Sequence, residues 1–216
     1  MDSDRGMKDF QHSRSLLQRF ETLEAEVPRG LLARLRLQWL LRHFPERVVW
    51  AGFVFVNGFV TIGILALVAM VSNIPFIFPS LGPSAFLSFF HPVSPTASPR
   101  NVICGHALGI LWGYAALWIT GLALAPSAIS EGVTFERVLA TALSLAATGA
   151  SMILLRVVHP PAGATTLIVS LGIITRPFDL CVIEIAVGMI VLQAIAINRL
   201  ARVDYPLWAA KRPREA

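Results

Sequence analysis

From Val48 to Val71 the chain runs for 24 residues without a charged side chain. At about 1.5 Å per residue, a helix of that length crosses a hydrocarbon layer about 30 Å thick. Lipid offers no water to backbone N–H and C=O groups, so such a segment has to satisfy them internally as a helix. The pattern returns in Asn101–Ala125, Thr134–Leu155 and Leu180–Ile197, each long and largely apolar. Only 14% of the 216 residues are charged and 55% are hydrophobic, whereas soluble domains carry about 25% charged residues. The expected fold class is therefore an all-α polytopic membrane protein, with the lipid bilayer as its first partner.

The net charge of +5 invites a nucleic-acid reading, but the placement of the charges argues against one. Nine basic residues, Arg5 to Arg47, precede the first apolar run, and five, Arg199 to Arg214, follow the last. Only Arg100, Arg137, Arg156 and Arg176 lie between. Lys and Arg gather on the cytoplasmic side of membrane proteins, so both termini are expected in the cytoplasm, in a bacterial inner (plasma) membrane. No nucleic-acid partner is expected. The lead-in before the first span is too long and too charged for a cleavable signal peptide, which makes that span an uncleaved anchor.

This divides the chain into a basic cytoplasmic tail over 1–47, a transmembrane domain over 48–200 and a second basic tail over 201–216. Residues 1–27 read as a mobile or loosely helical segment. From Pro28 to Arg47, apolar Ala33, Leu37, Leu40, Leu41 and Phe44 recur at helical spacing between arginines, which fits a helix lying on an anionic leaflet or a solvated lead-in helix. Tyr205 and Trp208 beside Lys211 and Arg212 suggest an interfacial aromatic belt. Cys104 and Cys181 fall in apolar segments without metal spacing and read as packing residues. No metal or cofactor is expected.

Two further apolar stretches are interrupted. Ile74–Phe90 carries Pro75, Pro79, Gly82 and Pro83, and Ala162–Thr175 follows His159-Pro160-Pro161. Proline and glycine resist a regular helix interior, so both segments are expected to be broken or re-entrant. They share the pattern P-x-x-G-x-S/T, as Pro79-Ser80-Leu81-Gly82-Pro83-Ser84 and Pro160-Pro161-Ala162-Gly163-Ala164-Thr165, 81 residues apart. The same offset maps 48–71 onto 129–152 and 101–117 onto 182–198, so the whole unit repeats as span, broken helix, span. Four long spans and two broken ones make six hydrophobic segments. If all cross, the second copy is inverted; if the broken ones only dip in, the copies are parallel. The loop charges favour crossing, and inverted repeats with matched broken helices are a transporter plan that holds substrate near the midplane.

A proline before each broken helix fixes φ and needs no N–H partner, which predicts free first-turn N–H groups at the positive end of the helix. Gly82 and Gly163 would let an anion approach that backbone, with Ser80, Ser84, Thr165 and Thr166 adding hydroxyl donors. The alternative is that these small and polar residues pack and kink helices. His159 borders the second broken segment and could bind an anion, take up a coupled proton or cap the loop. His106 sits within a span and is expected to face the bundle interior. Arg100 with Asn101 opens a span, either attracting an anion or serving orientation. Glu184, one turn into the last helix, could pair with Arg176, snorkel or serve proton coupling.

The residues Pro79-Ser80-Leu81-Gly82, Ser94-Pro95 through Pro99-Arg100-Asn101, Gly105-His106 and His159-Pro160-Pro161-Ala162-Gly163-Ala164-Thr165-Thr166 resemble the HPP family of integral membrane proteins, named for its His-Pro-Pro triplet. The resemblance covers roughly 45–200 and is specific in combination. It implies the family's four spanning helices and a transport role, with plant and cyanobacterial members implicated in nitrite movement. The expected function is thus a transporter or facilitator for a small inorganic anion, nitrite being the suggested case, with a homo-oligomer allowed. The alternative is a channel or a sensory or assembly protein without transport. An enzyme is not expected, since H-E-x-x-H, G-x-S-x-G and paired intramembrane carboxylates are all missing. No G-x-x-x-x-G-K-S/T motif is present to bind ATP.

Overall fold

The structure is a computed structural model that describes residues 44–201 and 203–210. The expected tail over 1–27, most of the surface helix over 28–47, and Lys211 and Arg212 lie outside the described residues. Within them the chain forms seven α-helices and one 3-10 turn, with no strand. Four helices are long and apolar enough to cross a membrane.

α1 spans Glu46–Ser72 and ends at Asn73, which adopts a left-handed φ of 55°. Within it only Val49, Thr61 and Leu65 are buried, while Phe55, Phe59, Met70 and Val71 are exposed. That face is apolar because it meets lipid. Residues 74–80 return without regular structure to α2, Leu81–Phe90. A 3-10 turn at Pro95–Ala97 leads into α3, Pro99–Ile119, which starts on a proline whose missing N–H costs a first turn nothing.

The sequence predicts that this span runs to Ala125; it stops earlier. Gly121 takes a left-handed φ of 74° and Leu122 N–H closes onto Leu117 O at 2.7 Å, a glycine-dependent helix stop. The short α4 (Ala128–Glu131) precedes α5 (Phe135–Leu154), which is capped by Thr134 Oγ1 accepting from Arg137 N–H. α6 is Ala162–Ser170, shorter than the apolar stretch that holds it, and α7 is Pro177–Leu200. With 10 and 9 residues, α2 and α6 reach about half the thickness of a bilayer.

Contacts between helix ends fix which ends lie together. Phe53 in α1 meets the ring of Phe89 at the end of α2, and Asn198 Nδ2 near the end of α7 donates to Ser88 O at 3.0 Å. Arg100 at the start of α3 donates through Nη2 to Arg156 O just past α5, and through its backbone N–H to Trp208 O. At the opposite end, Arg137 at the start of α5 donates to Ser170 O at the end of α6 and to Pro126 O, and Ala128 N–H donates to Leu171 O. Last-turn carbonyls of both short helices are thereby capped by side chains from long ones. α3 lies centrally against α5, α6 and α7, while α7 packs on α1 and α2.

Three expectations change. Tyr205 is not at an interfacial belt: it is 1% exposed and its hydroxyl donates to Ala97 O at 2.7 Å, because the chain after α7 folds back beneath α3. Burial pushes its phenol up to about 12, so it stays a neutral donor. Cys181 is exposed on the outer face of α7 instead of packed inside, while Cys104 is half-buried. Arg176 pairs with Asp179 at 2.7 Å, not with Glu184, whose carboxylate oxygens are buried without a hydrogen-bond partner among the described residues.

Candidate functional site

α3 carries Gly105, Gly109 and Gly113 at four-residue spacing, one stripe on its helical face. A Cβ on Gly105 would lie 2.7 Å from His159 Cβ, one on Gly109 2.8 Å from Ala162 O, and one on Gly113 2.9 Å from Thr166 O. The three glycines let α6 and its lead-in lie against the backbone of α3, the close approach that small-residue spacing allows in membranes. The stripe is visible in the sequence as G-x-x-x-G-x-x-x-G, a signal for close helix packing that the proline-glycine motifs do not include.

That approach brings five residues from four elements into one buried chain of hydrogen bonds. Ser84 Oγ, in the first turn of α2, lies 2.8 Å from His106 Nε2 and 2.9 Å from His159 Nε2. His106 Nδ1 lies 2.7 Å from Thr165 Oγ1 in α6, and His159 Nδ1 2.8 Å from Thr96 O in the 3-10 turn. His106, His159, Ser84 and Thr165 are each 0% exposed. The two rings sit 5.2 Å apart between centroids, tilted by 52°.

With both rings neutral, the direction of every bond follows from Thr96 O, which can only accept. His159 therefore carries its hydrogen on Nδ1 and accepts from the Ser84 hydroxyl at Nε2. Ser84, its hydrogen spent, accepts from His106 Nε2–H. His106 Nδ1 then accepts from the Thr165 hydroxyl. The two histidines hold opposite tautomers, assigned from the network.

Ser84 and Thr165 are the last residues of the two P-x-x-G-x-S/T motifs, so one imidazole, His106, joins both broken-helix starts. Ser80, one turn before Ser84, is also fully buried, and its Oγ has no partner among the described residues. Asn101 Nδ2 donates to Val158 O at 3.2 Å and so holds the backbone just before His159. It supports the cluster from outside. Thr166 is turned away, bonding Ala162 O at 3.1 Å and approaching Thr148 Oγ1 at 3.2 Å between α5 and α6.

The glycines of the motifs differ. Gly82 is exposed with nothing near its missing Cβ, while Gly163 is half-buried with Leu145 Cδ1 at 3.3 Å from that position. The first-turn N–H groups of α6 are not free. Ala162, Gly163 and Ala164 donate to the carbonyls of His159, Pro160 and Pro161 at 3.1, 3.0 and 3.1 Å. The Pro-Pro lead-in already follows a tight helical turn, with φ −55° and ψ −27° at Pro161, so these donors find carbonyls three residues back. Polar capacity at the site resides in hydroxyls and imidazoles. Arg100 lies at the rim, its Nε buried without a partner among the described residues.

An all-helical bundle with four lipid-length helices, two half-length helices broken at matched motifs, and a charge-free polar cluster where those motifs meet defines a polytopic integral membrane protein. Residues 43–206 match the family model described as HPP, transmembrane region, and the chain belongs to that family. It is similar to two transmembrane proteins of Dictyostelium discoideum. One is 31% identical over 169 residues, covering 73% of this chain and 55% of the relative. The other is 32% identical over 166 residues, covering 73% and 50%. The chain thus spans about half the length of these relatives. No solved structure matches it.

Proposed function

We propose that the protein is a transporter or facilitator for a small inorganic anion, and not an enzyme. The anion is held by the hydroxyls of Ser84 and Thr165 around His106, with Ser80 and His159 beside them. The single observation carrying this reading is that the matched motifs deliver their hydroxyls to the two nitrogens of one buried imidazole. A site of hydroxyls and imidazoles, with no carboxylate or lysine among them, suits a monovalent anion that must also be released. Nitrite is the substrate suggested by the family resemblance.

The reading takes the two units as inverted, with all six segments crossing. The helix ends support it: the first unit begins on the face that holds Arg100 and Arg156, and the second begins on the opposite face, at Arg137. Arg47, Arg100, Arg156 and Arg199 then share one side, which supports a cytoplasmic assignment of that face. Proline and glycine at mid-membrane are tolerable in such a plan because the irregular backbone is buried in protein.

The test is tracer uptake by the purified full chain in liposomes, across nitrite, nitrate, formate and chloride. The expected result is protein-dependent flux for one or more of these anions above protein-free vesicles. Rates equal to empty vesicles for all four would overturn transport and leave a sensory or assembly role.

A further inference from the structure

In the neutral network the hydroxyl hydrogens of the two motif residues, Ser84 and Thr165, are already committed, and Ser80 alone keeps an unpartnered hydroxyl beside them among the described residues. Thr165 donates to His106 and Ser84 donates to His159, so neither has a hydrogen left for an anion. Adding one proton changes this. If it enters His106 at Nδ1, that nitrogen becomes a donor, Thr165 Oγ1 becomes its acceptor, and the Thr165 hydrogen is released. If it enters His159 at Nε2, Ser84 Oγ accepts from both rings and its own hydrogen is released, with Ser80 O already 3.5 Å away on that side. In either case a single proton supplies both a positive ring and a freed hydroxyl donor beside it. An anion bound there would in turn stabilise the imidazolium, since opposite charges in close contact favour the charged form.

We infer that the site takes up its anion together with one proton, which the His106–Ser84–His159 relay carries, so that the pair moves as an electrically neutral unit. This rests on the anion-transport reading above and adds the coupling ion and its place. The proton comes from the aqueous side with the anion, binds a ring nitrogen lone pair, and leaves with the anion; no bond other than N–H forms or breaks.

The surrounding elements leave the histidines as the exchangeable pair. α2 and α6 carry no titratable side chain. On α3 they are Arg100, Cys104 and Tyr114, and on α5 and just past it Glu136, Arg137 and Arg156. Arg137 is committed to Ser170 O at the far end of α6 and to Pro126 O, and Arg100 to Arg156 O at the rim. On α7 they are Asp179, Cys181, Glu184 and Arg199, with Asp179 paired to Arg176. Glu184 has no bond to either histidine.

The test uses the full chain in two ways. In proteoliposomes with a trapped pH dye, nitrate is the probe, because nitric acid is too strong an acid to leak across as the neutral form. The expected result is that nitrate uptake acidifies the lumen, is unmoved by a potassium-valinomycin potential, and reaches about tenfold accumulation per unit of inward pH gradient, as one-to-one coupling requires. Nitrate flux that follows the membrane potential without acidification would overturn the coupling while leaving transport intact. Separately, nitrogen NMR of histidine-labelled protein in detergent is expected to show the two opposite neutral tautomers, and an imidazolium signal on adding nitrate or nitrite. An imidazolium without flux would keep the paired binding and defeat transport; no imidazolium at saturating anion would defeat the pairing. His106→Gln and His159→Gln, assigned by loss of one signal each, identify which ring takes the proton.

Discussion

α3 meets α6 and α7 meets α2 in counterpart contacts, 81 residues apart, yet the two interfaces are built from different side chains. Along α3 the stripe is Gly105, Gly109 and Gly113; along α7 the matching positions are Ala186, Ile190 and Ala194, all buried. His106 corresponds to Val187, and His159 to Phe78, both of the latter apolar and buried. The two sequence motifs thus each supply a hydroxyl, Ser84 and Thr165, but both imidazoles fall where α3 meets α6 and its lead-in. Matched sequence motifs need not bring matched polar centres, because each buried polar cluster costs desolvation that its own hydrogen bonds must offset.

The largest effect is expected from filling the glycine stripe. Gly105→Val pushes branched carbon into the His159 side chain attachment, where neither backbone can yield. Overpacking of this kind costs about 1–3 kcal/mol or more, and the detergent-purified variant should lose its sharp thermal transition and monodisperse elution. Gly188→Ala on α7, whose added Cβ meets nothing within 4 Å, should leave both unchanged. Equal behaviour of the two variants would mean that the stripe on α3 is no tighter than an open helical position.

A second effect sharpens the geometry of the cluster. In a Cys104→Ala, Cys181→Ala background, Ser84→Cys sets a thiol between two imidazoles, a set of soft and borderline ligands that suits a thiophilic divalent ion. Micromolar cadmium should then inhibit flux by at least about tenfold and leave the background protein unaffected. Insensitivity to cadmium would mean that Ser84 and the two histidines do not converge.

Legibility in the sequence depends on the residue type. Span positions are legible because lipid admits only long apolar helices, and the breaks at α2 and α6 because proline and glycine interrupt those two apolar stretches. The end of α3 is hidden because Gly121 stands inside a continuous apolar run, where nothing but its left-handed φ marks the helix stop. Free N–H groups at α6 were expected from proline chemistry, but a tight turn over His159-Pro160-Pro161 uses them. The histidine pairing could not be read, since His106 and His159 lie 53 residues apart and meet only through glycines whose role is absence of bulk. The buried Tyr205 was misplaced because its acceptor, Ala97 O, is a backbone atom that no side-chain pattern announces.

The smallest effect separates the two motif glycines. Gly82→Ala places a methyl group in open space within a helix and should stabilise by up to about 1 kcal/mol, read as a small rise in thermal midpoint. Gly163→Ala, facing Leu145 Cδ1 at 3.3 Å, should gain less or nothing. A large loss at Gly82 would mean that its open side is a packing surface.

The central claim, that an anion passes between the hydroxyls flanking His106, is tested most directly by nitrate and nitrite flux through Ser84→Ala, Thr165→Val and the double variant, each reconstituted at equal density and shown to retain its thermal transition. Loss of a hydrogen bond is worth about 0.5–1.5 kcal/mol, so each single variant should slow flux by up to about tenfold and the double variant should slow it further than either. Wild-type rates in a well-folded double variant would place the anion path elsewhere in the bundle.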